Sequence, residues 1–123
     1  MHDDALFVPP PAALRRWSDS QLWVSGQVGA DASWRPVGPG VEEQMRAAFA
    51  NLAAQLEAEG LALSDVVFAR NYLTDAEDFD TLNRVWAEVF PDAPPARTTV
   101  VVGLIPPFRF EVEAIAQRSP RRP

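Results

Sequence analysis

The chain predicts a single α+β domain, with a mixed sheet of about six strands and two helices packed on one face. Two segments, 41–59 and the stretch from about 75 to 89, repeat apolar residues at spacings of three and four, as amphipathic helices do. Runs rich in valine, isoleucine, threonine and aromatics stand before, between and after them. Glycine and proline punctuate most junctions. A chain of 123 residues buries roughly two thirds of the surface that its unfolded form exposes, enough for one core. The expected domain spans 1–123, with its core over about 5–117 and a flexible tail over 118–123.

Each element follows from local chemistry. Ala5 to Val8 forms a short strand, cut off by Pro9-Pro10-Pro11, a run that no central strand tolerates. Ala13 to Ser25 reads as a hairpin turning at Ser18-Asp19-Ser20, with Trp17, Leu22 and Val24 among its apolar positions. Gly26 to Gly40, broken by Gly29, Pro36, Gly38 and Pro39, reads as loop. Val41 to Glu59 is the clearest helix, its stripe being Met45, Ala48, Phe49, Leu52 and Leu56, with Gly60 placed for a left-handed cap. Val66 to Leu73 forms a strand. Thr74-Asp75-Ala76-Glu77 has capping-box spacing and opens a second helix that buries Phe79, Leu82, Trp86 and Val89, until Pro91 closes it. Two strands finish the fold, one led by Arg97 and one carrying Glu111, with Gly103 and Pro106-Pro107 turning between them. Around Arg97 to Val102 both faces carry apolar groups. A sheet covered on one face then needs a second copy to bury the other.

Composition removes much chemistry. Cysteine is absent, which excludes disulfides, thiol nucleophiles and soft-metal sites. All eleven basic residues are arginines, so no lysine is present to form a Schiff base. The one histidine is His2, next to the terminus, where neither a Ser-His-Asp triad nor a multi-histidine zinc site is expected. A net charge of −6 argues against a nucleic-acid partner. No run has the length of a membrane span, and the N-terminus lacks the basic and apolar regions of a signal peptide, so the expected address is cytoplasmic. The chemistry left to an enzyme here uses arginine, carboxylates, hydroxyls and backbone groups.

Several pieces in order then carry a specific likeness. Ser25-Gly26-Gln27 follows a strand, Asn83 and Trp86 lie in the second helix, Pro95-Ala96-Arg97 opens the next strand, and Phe110-Glu111-Val112-Glu113-Ala114-Ile115-Ala116 closes the set. Together they resemble the Rid family, the reactive intermediate deaminases also called RidA/YjgF proteins, over nearly the whole chain. The resemblance implies a chorismate-mutase-like fold, a homotrimer with clefts at its subunit interfaces, and hydrolysis of a small 2-imino acid or enamine to a keto acid and ammonia without a cofactor or metal. It matches Arg97 to the arginine that binds the substrate carboxylate, a role for which a planar fork of donors is suited and lysine is not. It matches Glu111 to the glutamate that holds the attacking water. Thr99, through its backbone carbonyl, Gly26 and Ser25 fall at positions near the ligand.

The bland readings stand beside these roles. An arginine and a glutamate on neighbouring strands also make an interface salt bridge, and Glu113, on the same strand face as Glu111, competes for its role. Ser25 is equally suited to capping a turn, Asn83 to a helix-to-loop hydrogen bond, and Trp86 to the core. If the last two strands form an antiparallel hairpin with Val102 opposite Phe108, Thr99 lies opposite Glu111 and Arg97 shares that face. Two departures from the family pattern remain. The stretch Pro9 to Leu14 lacks the tyrosine many members place before the Ser-Gly-Gln strand, and Thr99 stands where cysteine is common. A non-catalytic ligand-binding trimer and a Rid scaffold turned to another reaction are the alternatives.

Overall fold

The computed structural model describes residues 11–119. Five strands and two α-helices follow one another as β1 (Arg15–Ser18), β2 (Gln21–Val28), α1 (Val41–Glu57), β3 (Val66–Leu73), α2 (Phe79–Val89), β4 (Ala96–Val101) and β5 (Phe110–Gln117). The strands form one mixed sheet in the order β1-β2-β5-β3-β4. The strand expected over Ala5–Val8 and the end of the expected tail lie outside the described residues.

Most boundaries fall where the residues put them. Ser18 pairs with Gln21, leaving Asp19-Ser20 as the hairpin loop. Asp19 adopts φ 53°, a conformation that short polar side chains tolerate better than branched ones. Helix α1 buries Met45, Ala48, Phe49, Leu52 and Leu56. It ends at Glu57, and beyond it the Leu61 amide donates to the Leu56 carbonyl while Gly60 takes φ 77°, the left-handed cap expected of glycine. Strand β2 runs on to Val28, past the predicted start of the loop at Gly26, because β5 is long enough to pair Gln27 with Val112 and Val28 with Glu111.

The start of α2 differs from the prediction. Asp75, rather than Thr74, accepts a hydrogen bond from the Glu77 amide at 2.8 Å, and one 3-10 turn intervenes before the α-helix begins at Phe79. The helix accordingly buries Leu82, Val85 and Trp86, while Phe79 stays 42% exposed and Val89 half-buried. One apolar cluster joins both helices to Leu22 and Val24 of β2, Ala69 and Leu73 of β3, and Phe110, Val112, Ala114 and Ala116 of β5. At its centre the Phe49 ring lies 5.4 Å from Phe110 and 6.1 Å from Trp86. Tilted and edge-on rings at such separations add to simple burial. Among the described residues both helices thus cover one face of the sheet.

The predicted hairpin between the last two strands does not form. Strand β3 lies between them, parallel to β4 and antiparallel to β5. Helix α2 is the crossover that sets β4 beside β3 in parallel, so β5 has to pair on the other side of β3, where it meets β2. Thr99 is therefore opposite Asn71, and Glu111 is opposite Tyr72. The face away from the helices carries Trp23, Phe68, Arg70, Tyr72, Glu111, Glu113 and Ile115. Trp23 is 52% exposed there, beside a cavity of about 500 Å³.

Candidate active site

Register decides which predicted residues meet. Arg97 pairs with Ala69, and Ala69 pairs with Ala114, both buried under the helices. Its side chain consequently belongs to the helical face. Glu111 pairs with Tyr72, one step out of phase, and so belongs to the open face. The two groups sit on opposite sides of a single sheet. Within one chain they cannot act on one substrate.

Each half is well organised. Along α2, Phe79, Asn83 and Trp86 follow one another at i, i+4 and i+7 and so share a stripe. Arg97 lies across that stripe, its guanidinium carbon 5.0 Å from the Trp86 ring centre and 5.6 Å from that of Phe79. Its Nη2 donates to Asn83 Oδ1 at 2.8 Å. Aromatic faces attract a cation and one amide oxygen fixes its rotation, which leaves further donors of the fork unpaired among the described residues. Partial burial moves the Arg97 pKa below its ordinary value. It stays positive at any physiological pH. Beside it, Thr99 Oγ1 and both polar atoms of the fully buried Asn71 side chain are buried without a hydrogen-bond partner.

The carboxylate half is built by a bulge. Between Val24 and Gln27, strand β2 carries one residue more than the stretch of β5 from Ala114 to Val112 opposite it. The bulge brings the backbone of Gly26 against the Glu111 side chain, so closely that a Cβ on residue 26 would lie 1.7 Å from Glu111 Oε2. A side chain at residue 26 would displace that carboxylate from its place. Gln27 Nε2 donates to the Ser25 carbonyl at 3.1 Å and stiffens the bulge. Both the amide and the hydroxyl of Ser25 donate to the Leu14 carbonyl at 3.0 Å, so Ser25 ties the bulge to the segment before β1. Burial first, and the nearby charge of Glu113 second, raise the pKa of Glu111. A carboxylate so placed is a better proton acceptor than an exposed one.

The structure thus joins Gly26 and Ser25 to Glu111, joins Thr99 to Arg97, and separates the two groups. Asn83, singled out in the sequence as a hydrogen-bonding group of the second helix, has Arg97 for its partner. Sequence reasoning missed two members of the arrangement. The exposure of Phe79, expected in the core, becomes intelligible only once Arg97 lies over it. Arg70, cross-strand from Glu113 and bound to it, was masked in an unremarkable strand.

The sequence model of one family, described as endoribonuclease L-PSP, matches residues 11–118. The chain belongs to this Rid/YjgF family. Among Rid relatives, a RutC family protein of Saccharolobus solfataricus is 42% identical over 100 residues, covering 80% of this chain and 79% of its own. The 2-iminobutanoate/2-iminopropanoate deaminase of Bos taurus is 38% identical over 117 residues, covering 89% and 85%. The solved structure of RidA from an Antarctic Psychrobacter shares the Rid fold with a TM-score of 0.83 at 30% identity, over 94% of this chain and 96% of that one. Among the described residues no helix is long and apolar enough to cross a membrane.

Proposed function

We propose that the protein is a cofactor-independent deaminase that hydrolyses a small 2-imino acid, or its enamine tautomer, to the 2-keto acid and ammonia. The observation that carries this reading is the division of the site. A cation fixed over aromatic rings and a desolvated carboxylate against a glycine bulge are each half of an imino-acid site, on opposite faces of one sheet. They come together when the open face of one copy meets the Arg97 edge of another. A homotrimer with its sites at the interfaces supplies this meeting in a closed ring, in which each chain gives one half to each neighbour. The relatives named as imino-acid deaminases support the same chemistry.

On this reading Arg97 binds the substrate carboxylate through two parallel hydrogen bonds, a charge-assisted contact worth about 1.5–3 kcal/mol. Glu111, with the Thr99 carbonyl of a neighbouring copy, holds a water. As the water oxygen adds to the imine carbon, Glu111 takes one proton, and the electron pair of the C=N bond moves to nitrogen. The protonated Glu111 returns that proton to nitrogen, then takes up the hydroxyl proton of the carbinolamine and passes it to the departing amine, so that the carbonyl forms as the C–N bond breaks and nitrogen leaves as ammonia. Water is consumed, ammonia and keto acid leave, and the enzyme returns to its starting state. Gly26 and Ser25 border the substrate from the bulge. An RNA substrate suits this chain less well, since its net charge is −6 and its one histidine stands at position 2.

The test is the release of ammonia and keto acid from imines made in situ by an amino-acid oxidase. Acceleration over buffer is expected, and Arg97→Ala should lower kcat/KM by about 10- to 150-fold, on the order of one charge-assisted anchor. No acceleration with imines of several side chains would sink the deaminase reading.

A further inference from the structure

Two carboxylates stand on the same face of β5, Glu111 and Glu113, about 7 Å apart along the strand as residues i and i+2. At that distance each makes ionisation of the other harder. A base that must ionise beside a second carboxylate needs the second one occupied. Strand β3 supplies the occupant. Its Arg70 is the register partner of Glu113, and its Nη1 is hydrogen-bonded to Glu113 Oε2. Tyr72, the register partner of Glu111, interacts with both members of this pair, Arg70 and Glu113. The Phe68 ring lies 5.2 Å from the Arg70 guanidinium carbon on its other side.

We infer that Arg70 is a positioning residue for the proposed reaction: by clamping Glu113 it offsets the charge beside Glu111 and leaves Glu111 the one unengaged carboxylate on this face. This rests on the reading of Glu111 as the base. The groups that face Glu111 bear it out. On β5 there is Glu113. On β3 there are Tyr72 and Arg70, and Arg70 is spent on Glu113. From β2 the neighbours are Ser25, Gly26 and Val28, none of them charged. On β4, the open-face residues Thr98 and Val100 carry no charge, and neither helix covers this face among the described residues. Burial and then Glu113 raise the Glu111 pKa. The contact that Arg70 makes on β5 is with Glu113.

The experiment follows the Glu111 carboxyl by carbon-detected NMR titration on the assembled protein, together with the pH dependence of kcat/KM for imine hydrolysis. Arg70→Met is expected to move the Glu111 midpoint upward by about half a pH unit or more, and the acid limb of the profile with it. In a Glu113→Gln background the same substitution should move both less, since only the direct field of the guanidinium is then lost. Arg70→Lys, which keeps the charge, should restore the wild-type midpoint. A merely structural arginine would lower kcat at all pH values and leave the midpoint in place, and that outcome overturns the inference. So does an equal shift in the Glu113→Gln background, or a raised midpoint in Arg70→Lys. A titration shift in a protein without imine hydrolysis supports the clamp and counts against the deaminase reading, so the two can fail separately.

Discussion

Glu111 is the residue at which packing and ionisation meet most closely. Its carboxyl is held against Gly26 of the bulge, which has no side chain, and burial makes its charged form costly there. A carboxyl whose folded pKa is raised favours folding most below its unfolded pKa, and that contribution is lost as pH rises through the folded value. Glu111→Gln should therefore raise thermal stability at neutral pH, with the gain vanishing in acid near the ordinary glutamate pKa of about 4.3. Thermal unfolding of both proteins from pH 3 to pH 8 checks this. A gain that persists in acid would place its origin outside ionisation. The position of Glu111 was legible in the sequence, because a charge inside the apolar run Phe110 to Ala116 is conspicuous. The neighbourhood that shifts it was not, since the bulge appears only when β2 is laid on β5.

At the scale of elements, periodicity located α1 well because its apolar residues answer to one face, while β3 showed as an apolar run that serves both faces of the sheet. Periodicity failed at the edge of α2. Phe79 and Asn83 face a cation from another element, and a helix pattern read alone assigns an apolar residue to the core. Strand β3 holds the converse case. Asn71 is fully buried in an otherwise apolar row with Ala69 and Leu73, and its amide has no partner. An unpaired buried amide costs about 1–3 kcal/mol. Asn71→Val is expected to stabilise the protein by about that amount, read from urea unfolding midpoints. A destabilised variant would mean that the fit of the asparagine side chain, and not its unpaired amide, decides stability at this position.

For the whole molecule, the α+β class and the helices on one face followed from element order, whereas the strand order did not. Alternation within β4 and β5 is equally compatible with pairing to each other or around β3, and only the crossover by α2 decides between them. That choice moved Arg97 and Glu111 to opposite faces. It gives the assembly its own test. Arg97→Ala and Glu111→Gln proteins, each inactive alone, should regain about a quarter of wild-type turnover when co-refolded in equal amounts, the share of interfaces that unite two intact halves in a randomly mixed ring. Recovery absent from verified mixed assemblies would place both halves of the working site in one chain.

A split of this kind makes turnover a matter of dose. On the proposed reading a lone copy would carry every group the reaction asks for and complete nothing, so dilution below the association threshold would silence the chemistry without unfolding the chain. Specific activity would then climb with protein concentration before levelling off.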